Sequence, residues 1–301
     1  MRYFFKVILI LTFSLNVTES SADTLFDSLN LAYVNNPKLN AERASRRASK
    51  EEKREAVGEF LPSVTISGYV SEQDNTKGSE SNFEPSEQSL LIEQKIFQGF
   101  SGVANLQKKK QGEALGEFKL KKIEQEILLE AAKVHTGLLL SRKKVNINLI
   151  NVDLLERQVE TDQNRLEKGE ISLTDLAQSE SSLAGARAQL ISAQNDMVTS
   201  KVNYEKIVGS KPTENIQEIK KINLNLPESL ATAYSISSSE NPDLQITFLE
   251  YKQSKLDVVI ASSDLAPSAT LSYKIAEQDD FSSTVQERTQ QTVKATATWP
   301  L

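Results

Sequence analysis

Val64-Thr65-Ile66-Ser67-Gly68-Tyr69-Val70-Ser71 alternates apolar and polar side chains, and Ala269-Thr270-Leu271-Ser272-Tyr273-Lys274-Ile275-Ala276 does so again. Period two over about ten residues is a strand signal. Each run has an alternating partner: Leu90, Ile92, Gln94 and Ile96 within 88–97, then Val293, Ala295, Ala297 and Trp299. The pairs read as β-hairpins, 63–97 and 268–301, around the polar stretches Asp74 to Glu87 and Asp279 to Gln290. Ten residues is also about the length a tilted strand needs to cross a bilayer. A soluble hairpin carries the same pattern, and alternation alone does not separate the two.

The hairpins belong to a longer repeat. Ser28-Leu29, Ala32-Tyr33, Asn36-Pro37-Lys38-Leu39, Leu61-Pro62 and Glu72-Gln73-Asp74 return as Ser229-Leu230, Ala233-Tyr234, Asn241-Pro242-Asp243-Leu244, Ala266-Pro267 and Glu277-Gln278-Asp279. The offset is 201 up to the tyrosine and 205 from Asn-Pro onward, which implies four inserted residues. A repeat of this length means one structural unit used twice. The first copy is read as 23–226 and the second as 227–301. Position 301 answers to Ile96, so the second copy is expected to be incomplete, lacking a counterpart of residues 98–226.

Between the hairpins the chain is helical. A short helix over about 24–34 leads to Asn36-Pro37, an N-cap followed by proline at the first helical position, and a helix over 37–60 ending at Leu61-Pro62. No proline occurs from Val103 to Leu166, and Leu120, Ile123, Ile127, Val134, Leu138, Val145, Leu149, Val152, Val159 and Leu166 recur at helical spacing. That is an amphipathic helix with coiled-coil-like packing. After Lys168-Gly169-Glu170, Ser172 and Asp175 form a capping box for a helix to about Val208, where Leu176, Leu183, Leu190, Met197 and Tyr204 fall seven apart. Ser179, Ala186, Ala193 and Ser200 follow the first four at three residues, large facing small, as in a tightly packed helical hairpin over 103–208. The first helix reaches about 96 Å and the second about 54 Å at about 1.5 Å per residue. The helix at 37–60 adds about 36 Å, so one continuous helix is expected to pair with two shorter ones laid end to end. A polar linker over 209–226 closes the copy.

Arg2 and Lys6, an apolar run from Val7 to Val17 and Ser20-Ser21-Ala22 make 1–22 read as a secretory signal, with a retained anchor as the alternative. The chain has no cysteine, hence no disulfide, thiol nucleophile or lipidation site for an exported N-terminus. Net charge is −6, and removing Arg2, Lys6 and Glu19 leaves −7, which argues against nucleic acid as a partner. No phosphate loop, Ser-His-Asp set or carboxylate pair in an apolar setting is present, so neither an enzyme nor a cofactor or metal site is expected. The single histidine, His135, reads as an ordinary packed or solvated helix residue. Lys108-Lys109-Lys110 fits a solvated face better than lipid head groups, and Tyr69, Phe97, Tyr273 and Trp299 fit interfacial girdles or plain strand packing equally.

Four strands cannot close a barrel, which needs about eight. Lipid tolerates no open edge, so transmembrane strands would require oligomerisation, and a trimer would supply twelve. The order helix, Leu61-Pro62, strand, polar loop, strand ending Gln94-Lys95-Ile96-Phe97-x-Gly99, long helix, turn Arg165-x-x-x-Gly169-x-x-x-x-x-Asp175, then a second copy, resembles the TolC family of outer-membrane efflux channels. The resemblance covers nearly all of 23–301. It implies a mainly α fold with transmembrane β-strands, a long α-helical hairpin barrel and a trimeric 12-stranded β-barrel, in the outer membrane of a Gram-negative bacterium and extending into the periplasm. It further implies a homotrimer in contact with outer-membrane lipid, working with a periplasmic adaptor and an inner-membrane transporter (ABC, RND or similar) in tripartite efflux or type I secretion. By the same resemblance, the tip Lys168, Gly169, Glu170, Ile171, Ser172, Leu173, Thr174 and Asp175 contacts the adaptor, and Pro62, Phe97, Gly99, Pro267 and Pro300 mark strand–helix junctions. Ile171 and Leu173, apolar on an exposed turn, suit a partner surface; capping is the plainer reading of the same residues. The family's proline at the strand end is present as Pro300 and replaced by Lys95 in the first copy. The family's gating constriction falls in the part expected to be missing, so no gate residue is carried over. A periplasmic coiled-coil adaptor, or a structural protein with a soluble β-domain and no channel, is the rival reading.

Overall fold

The computed structural model describes residues 24–72, 84–218, 226–282 and 285–300. The signal reading of 1–22, residues 74–83 of the first polar loop and residues 219–225 of the 209–226 linker fall outside them. The chain divides into two compact units, drawn from Met1–Pro37 with Glu126–Leu224 and from Lys38–Gln125 with Asn225–Leu301. One helix, α3 (Ser101–Glu167), contributes to both.

In the first unit, α1 (Leu25–Asn35) and α4 (Leu173–Val208) pack on the later part of α3. Thr24 caps α1 through a capping box with Asp27, the two reaching each other's backbone N–H at 3.0 and 3.1 Å. The pattern of large and small residues on α4 is the seam: Leu183, Ala186, Ala193 and Tyr204 are buried, and Val152 packs with Leu183 and Ala186. On α3 the expected stripe holds at Ile127, Leu138 and Val152 but fails at Leu149, which is 52% exposed. Three-four spacing carries the seam through Ser141 and Val145 to Val152 and leaves Leu149 outside it. A stripe sought among apolar residues alone passes over the polar ones that share it.

His135 is one of these polar residues. Ser28 Oγ lies 2.8 Å from His135 Nδ1 and 2.8 Å from Tyr204 Oη, and all three residues are fully buried. The same hydroxyl donates to the Thr24 carbonyl at 3.2 Å. A hydroxyl has one proton, so with Thr24 accepting it, Ser28 receives hydrogen bonds from the imidazole N–H and the tyrosine O–H. Three helices are thereby tied at one oxygen. Gly209 ends α4 at φ 79°, with the Asn35 Cβ 2.9 Å from where a side chain would start, so only glycine fits. Arg142 then holds the chain beyond by donating to the carbonyls of Thr213 and Glu214, and Lys143 pairs with Glu218.

In the second unit, α2 (Pro37–Gly58) and α6 (Pro242–Ser262) both run antiparallel to the early part of α3. Arg46–Glu117, Lys53–Glu113 and Lys109–Glu52 join α2 to α3, while Lys108–Asp257 and Lys122–Asp243 join α6 to it. Lys108 and Lys109 therefore face neighbouring helices. Asn241 caps α6 by accepting from Asp243 and Leu244 N–H. Its counterpart Asn36 donates its side-chain amide to the Ile207 carbonyl at 3.0 Å.

Four strands, β1 (Ser63–Val70), β2 (Ser86–Gln98), β3 (Ser268–Ser282) and β4 (Val285–Thr298), form one antiparallel sheet in the order β1-β2-β3-β4. Two expectations are corrected. The stretch from Asp279 to Gln290 is mostly strand, with Asp279 opposite Glu287 and Gln278 opposite Arg288. Backbone pairing there carries side chains that are polar on both faces, so no hydrophobic alternation announces it. The four-residue insertion is also absent from the helices: the N-caps Thr24 and Ser229 open α1 and α5 (Leu230–Glu240), each of 11 residues, at the same offset of 205 as the rest of the repeat. A shift of four is close to one helical turn of about 3.6 residues, so it keeps the same face and imitates an alignment.

Ser28→Ala removes the shared oxygen and leaves two buried donors. It is expected to cost about 1–3 kcal/mol, read as a lower urea midpoint with an unchanged m-value.

Candidate functional site: a two-faced sheet and a helical tip

Residues directly opposite in an antiparallel sheet point to the same face. The register places Val64, Ile92, Tyr273 and Val293 in one row, and Ile66, Leu90, Ile275 and Gln291 in the next. On the other side of the first row lie Gln94, Leu271 and Ala295, then Phe97, Ala269 and Ala297 beyond a bulge at Ile96. Within these four rows only Gln94 and Gln291 are polar; the next row of the same face holds Gln88, Glu277 and Thr289. Gln94 donates to the carbonyls of Phe60 and Lys95, and Gln291 accepts from Tyr273 Oη at 3.4 Å. The face is otherwise bare: Ile66 is 82% and Val293 73% exposed.

The opposite face carries Ser63, Glu93, Ser272 and Lys294 in one row, then Thr65, Leu91, Lys274 and Thr292, then Ser67, Ser89, Ala276 and Gln290. Lys274 pairs with Glu87 at 2.6 Å, Gln278 donates to the same carboxylate at 2.7 Å, and Ser67 meets Ser89 at 3.0 Å. Among the described residues of the sheet, Ser89 and Ala276 are the buried ones, both on this polar side. Beyond Ile275 the rows turn polar on both faces, with Glu277, Asp279 and Glu287.

The junction residues sit where the chain changes from strand to helix. Pro62 and Pro267 directly precede β1 and β3, and Pro300 follows β4. Gly99 turns β2 into α3 at φ 58°, with the Ala266 Cβ 2.7 Å from a would-be side chain. Phe97 meets Phe100 edge to face at 5.2 Å.

The tip of the α3–α4 hairpin, in the other unit, is a Schellman motif followed by a capping box. Gly169, at φ 76°, donates to the Leu166 carbonyl at 2.8 Å and Glu170 to that of Arg165 at 2.9 Å. The apolar contact usual across such a turn is replaced here by Arg165–Glu170 at 3.4 Å. Ser172 and Asp175 bond reciprocally, and these bonds from the Ser172 backbone and hydroxyl hold the Asp175 carboxyl below its ordinary range. Lys168, Glu170, Thr174 and Leu173 are exposed, and Ile171 is half-buried. All eight tip residues thus lie on one turn.

Asp162, two turns below on α3, was not singled out from the sequence. Its carboxylate is buried, accepts from Ser179 on α4 at 2.5 Å and from Gln158 at 2.9 Å, and lies 3.8 Å from Arg165. The Ser179 hydroxyl, then the Gln158 amide, depress its pKa. A signal existed: Asp162 follows Val159 by three, on the apolar stripe, opposite one of the small residues of α4.

A sheet apolar on one face and polar on the other is the pattern of the strands in membrane β-barrels. The sequence pattern of the outer membrane efflux proteins matches residues 28–210. The chain is 26% identical over 263 residues to the outer membrane efflux protein BepC of Brucella suis biovar 1 (strain 1330). That alignment takes in 87% of this chain and 57% of BepC, so the chain spans little more than half the length of this relative. In fold it resembles the outer membrane channel CmeC of Campylobacter jejuni, with a TM-score of 0.78 at 14% identity over 92% of this chain and 61% of that one. It also resembles the open-state channel MtrE of Neisseria gonorrhoeae, with a TM-score of 0.72 at 13% identity over 92% and 63% of the two chains. This chain belongs to the outer membrane efflux protein family. It is an outer-membrane protein reaching into the periplasm, and not an enzyme.

Asp162→Ala is expected to destabilise the hairpin in a pH-dependent way. A carboxyl that titrates lower when folded stabilises the protein fully above its unfolded value of about 4 and loses that contribution as pH falls through the lower folded value. The difference in melting temperature between wild type and variant, measured from pH 7 down to pH 2, should therefore shrink only at the acid end.

Proposed function

We propose that the sheet is one third of a transmembrane β-barrel, and that three copies of the chain form a passive export duct through the outer membrane. The observation that carries this is the register: in the rows from Ala269 to Ile275 apolar side chains share one face across the strands, and the two polar exceptions within those rows are hydrogen-bonded within the protein. Backbone and side-chain polar groups facing lipid need such partners. Because the meander has an even number of strands, β4 of one copy and β1 of the next run antiparallel, and twelve strands close with no parallel pair. The polar face, with its Lys274–Glu87 pair, then lines a wet interior. In the helical unit, Leu140, Ile147, Ile150 and Leu154 on α3 and Ile191, Val198 and Val202 on α4 are exposed apolar residues, a second surface suited to neighbouring copies.

In this reading the tip from Lys168 to Asp175 docks a periplasmic adaptor, which connects the duct to an inner-membrane transporter. What supports it is the rigid double-capped turn presenting an exposed Leu173. The rival, a soluble adaptor or scaffold, would gain nothing from a broad bare apolar sheet face.

Ile66→Arg puts a charge on the apolar face and should cost about 2–4 kcal/mol near the membrane midplane, abolishing heat-modifiable migration with outer membranes. Ser67→Arg, one residue along and on the polar face, should leave it intact. Equal effects of the two would refute the lipid-facing assignment. Leu173→Glu should abolish export by a full-length relative while leaving its trimer intact, and surviving export would remove the tip from the adaptor contact.

A further inference from the structure

The polar face of the sheet carries its charges unevenly. The register sets Lys95 level with Thr270, Glu93 and Lys294 level with Ser272, Lys274 beside Thr292, and Glu87 and Arg288 level with Gln278. Among the described residues of the strands, four cations share this face with two carboxylates, a net charge of +2. The other face carries Glu277, Asp279 and Glu287 and no cation among the described residues, a net charge of −3. A chain of net charge −6 therefore keeps an excess of cations on the one face of its sheet that is polar throughout.

The two signs also differ in exposure. The Glu87 side chain is only 11% exposed and is taken up by Lys274 and Gln278, and Glu93 is half-buried. Lys95, Lys294 and Arg288 are exposed. Asp264, just before β3, borders the hollow at the foot of this face beside Lys95; with it counted, the cations still lead by four to three. From the level of Thr270 to that of Gln278 the strand rises about 27 Å, so the cations are spread along the whole face.

We propose that this face makes the duct selective for anionic solutes, carboxylates and phosphate esters over amines, with Lys95 and Lys294 as the determining residues. The proposal rests on the reading of the polar face as the wall of the duct. Three copies at +2 each bring an excess of +6 to that wall. A wall of one sign concentrates the opposite ion beside it and repels its like, within a Debye length of about 10 Å at 0.1 M salt and about 30 Å at 0.01 M.

The test places the full chain in planar bilayers under a potassium chloride gradient at low salt and reads the reversal potential. Chloride should be favoured over potassium by about threefold, and the preference should fade as salt rises. Lys95→Gln combined with Lys294→Gln takes the face from +2 to zero and should bring the permeability ratio to unity. Lys95→Glu combined with Lys294→Glu takes it from +2 to −2 and should invert the ratio. Glu277→Gln alters a charge on the other face and should leave the ratio unmoved. A cation-selective wild type, one that passes no ions, or a ratio that neither lysine pair moves overturns the proposal.

A second arm tests the reading beneath it. The chain has no cysteine, so Thr292→Cys on the polar face and Val293→Cys on the apolar face each supply a single thiol. In outer-membrane vesicles an anionic methanethiosulfonate should label Thr292→Cys and spare Val293→Cys. Labelling of both alike, or of Val293→Cys alone, removes the assignment of the two faces and the selectivity with it. The expected labelling with an unmoved ion ratio removes the selectivity alone.

Discussion

A strand at the edge of a sheet leaves a row of backbone N–H and C=O groups unpaired, and hydrocarbon supplies nothing to pair them. This constraint governs the chain. Its sheet has one face that water disfavours and two edges, β1 and β4, that lipid forbids. One copy can satisfy neither condition, since four strands are too few to curl closed. In the proposed barrel, copies of the same chain satisfy both at once, because the edge that needs a partner on one copy is the edge offered by the next. Under that proposal oligomerisation follows from the backbone, and the apolar face decides in which solvent it happens.

Duplication makes the constraint easier to meet. Each repeat brings a helix, a proline, and a strand pair, and β2 joins β3 to make one sheet from two hairpins. The repeats then diverge in what they do with equivalent residues. The Asn36 amide reaches the Ile207 carbonyl on α4. Ser28 lies buried on α1, yet no residue of α5 is buried. Equivalent backbone positions are thus reused for different packing partners.

What the sequence made legible was whatever hydrophobic periodicity marks. The strands from Ser63 and Ser268, the helical hairpin and its capping box at Ser172 stood out because burial on one face imposes a period of 2 or 3.6. What it hid was of two kinds. Polar strand, as at 279–290, forms by continuing an existing backbone ladder, so its side chains carry no period. Buried polar residues, His135, Ser141 and Asp162, occupy seam positions where a search for apolar side chains passes over them.

Those buried polar residues answer a problem that long helices create. A seam built of large and small apolar residues repeating every seven can slip by one heptad and find nearly the same contacts. Such a slip moves one helix about 10 Å along the other, at about 1.5 Å per residue. Polar partners remove the degeneracy, since each buried donor or acceptor left unmatched costs about 1–3 kcal/mol. Ser28, His135 and Tyr204 form one lock and Asp162 with Ser179 another, near opposite ends of the α3–α4 seam. Only one register brings Ser28 to His135 and Tyr204 and, at the same time, Asp162 to Ser179. The level at which Gly169 turns the chain is then set by hydrogen bonds rather than by apolar packing, and a tip that docks an adaptor, as proposed, needs that definition.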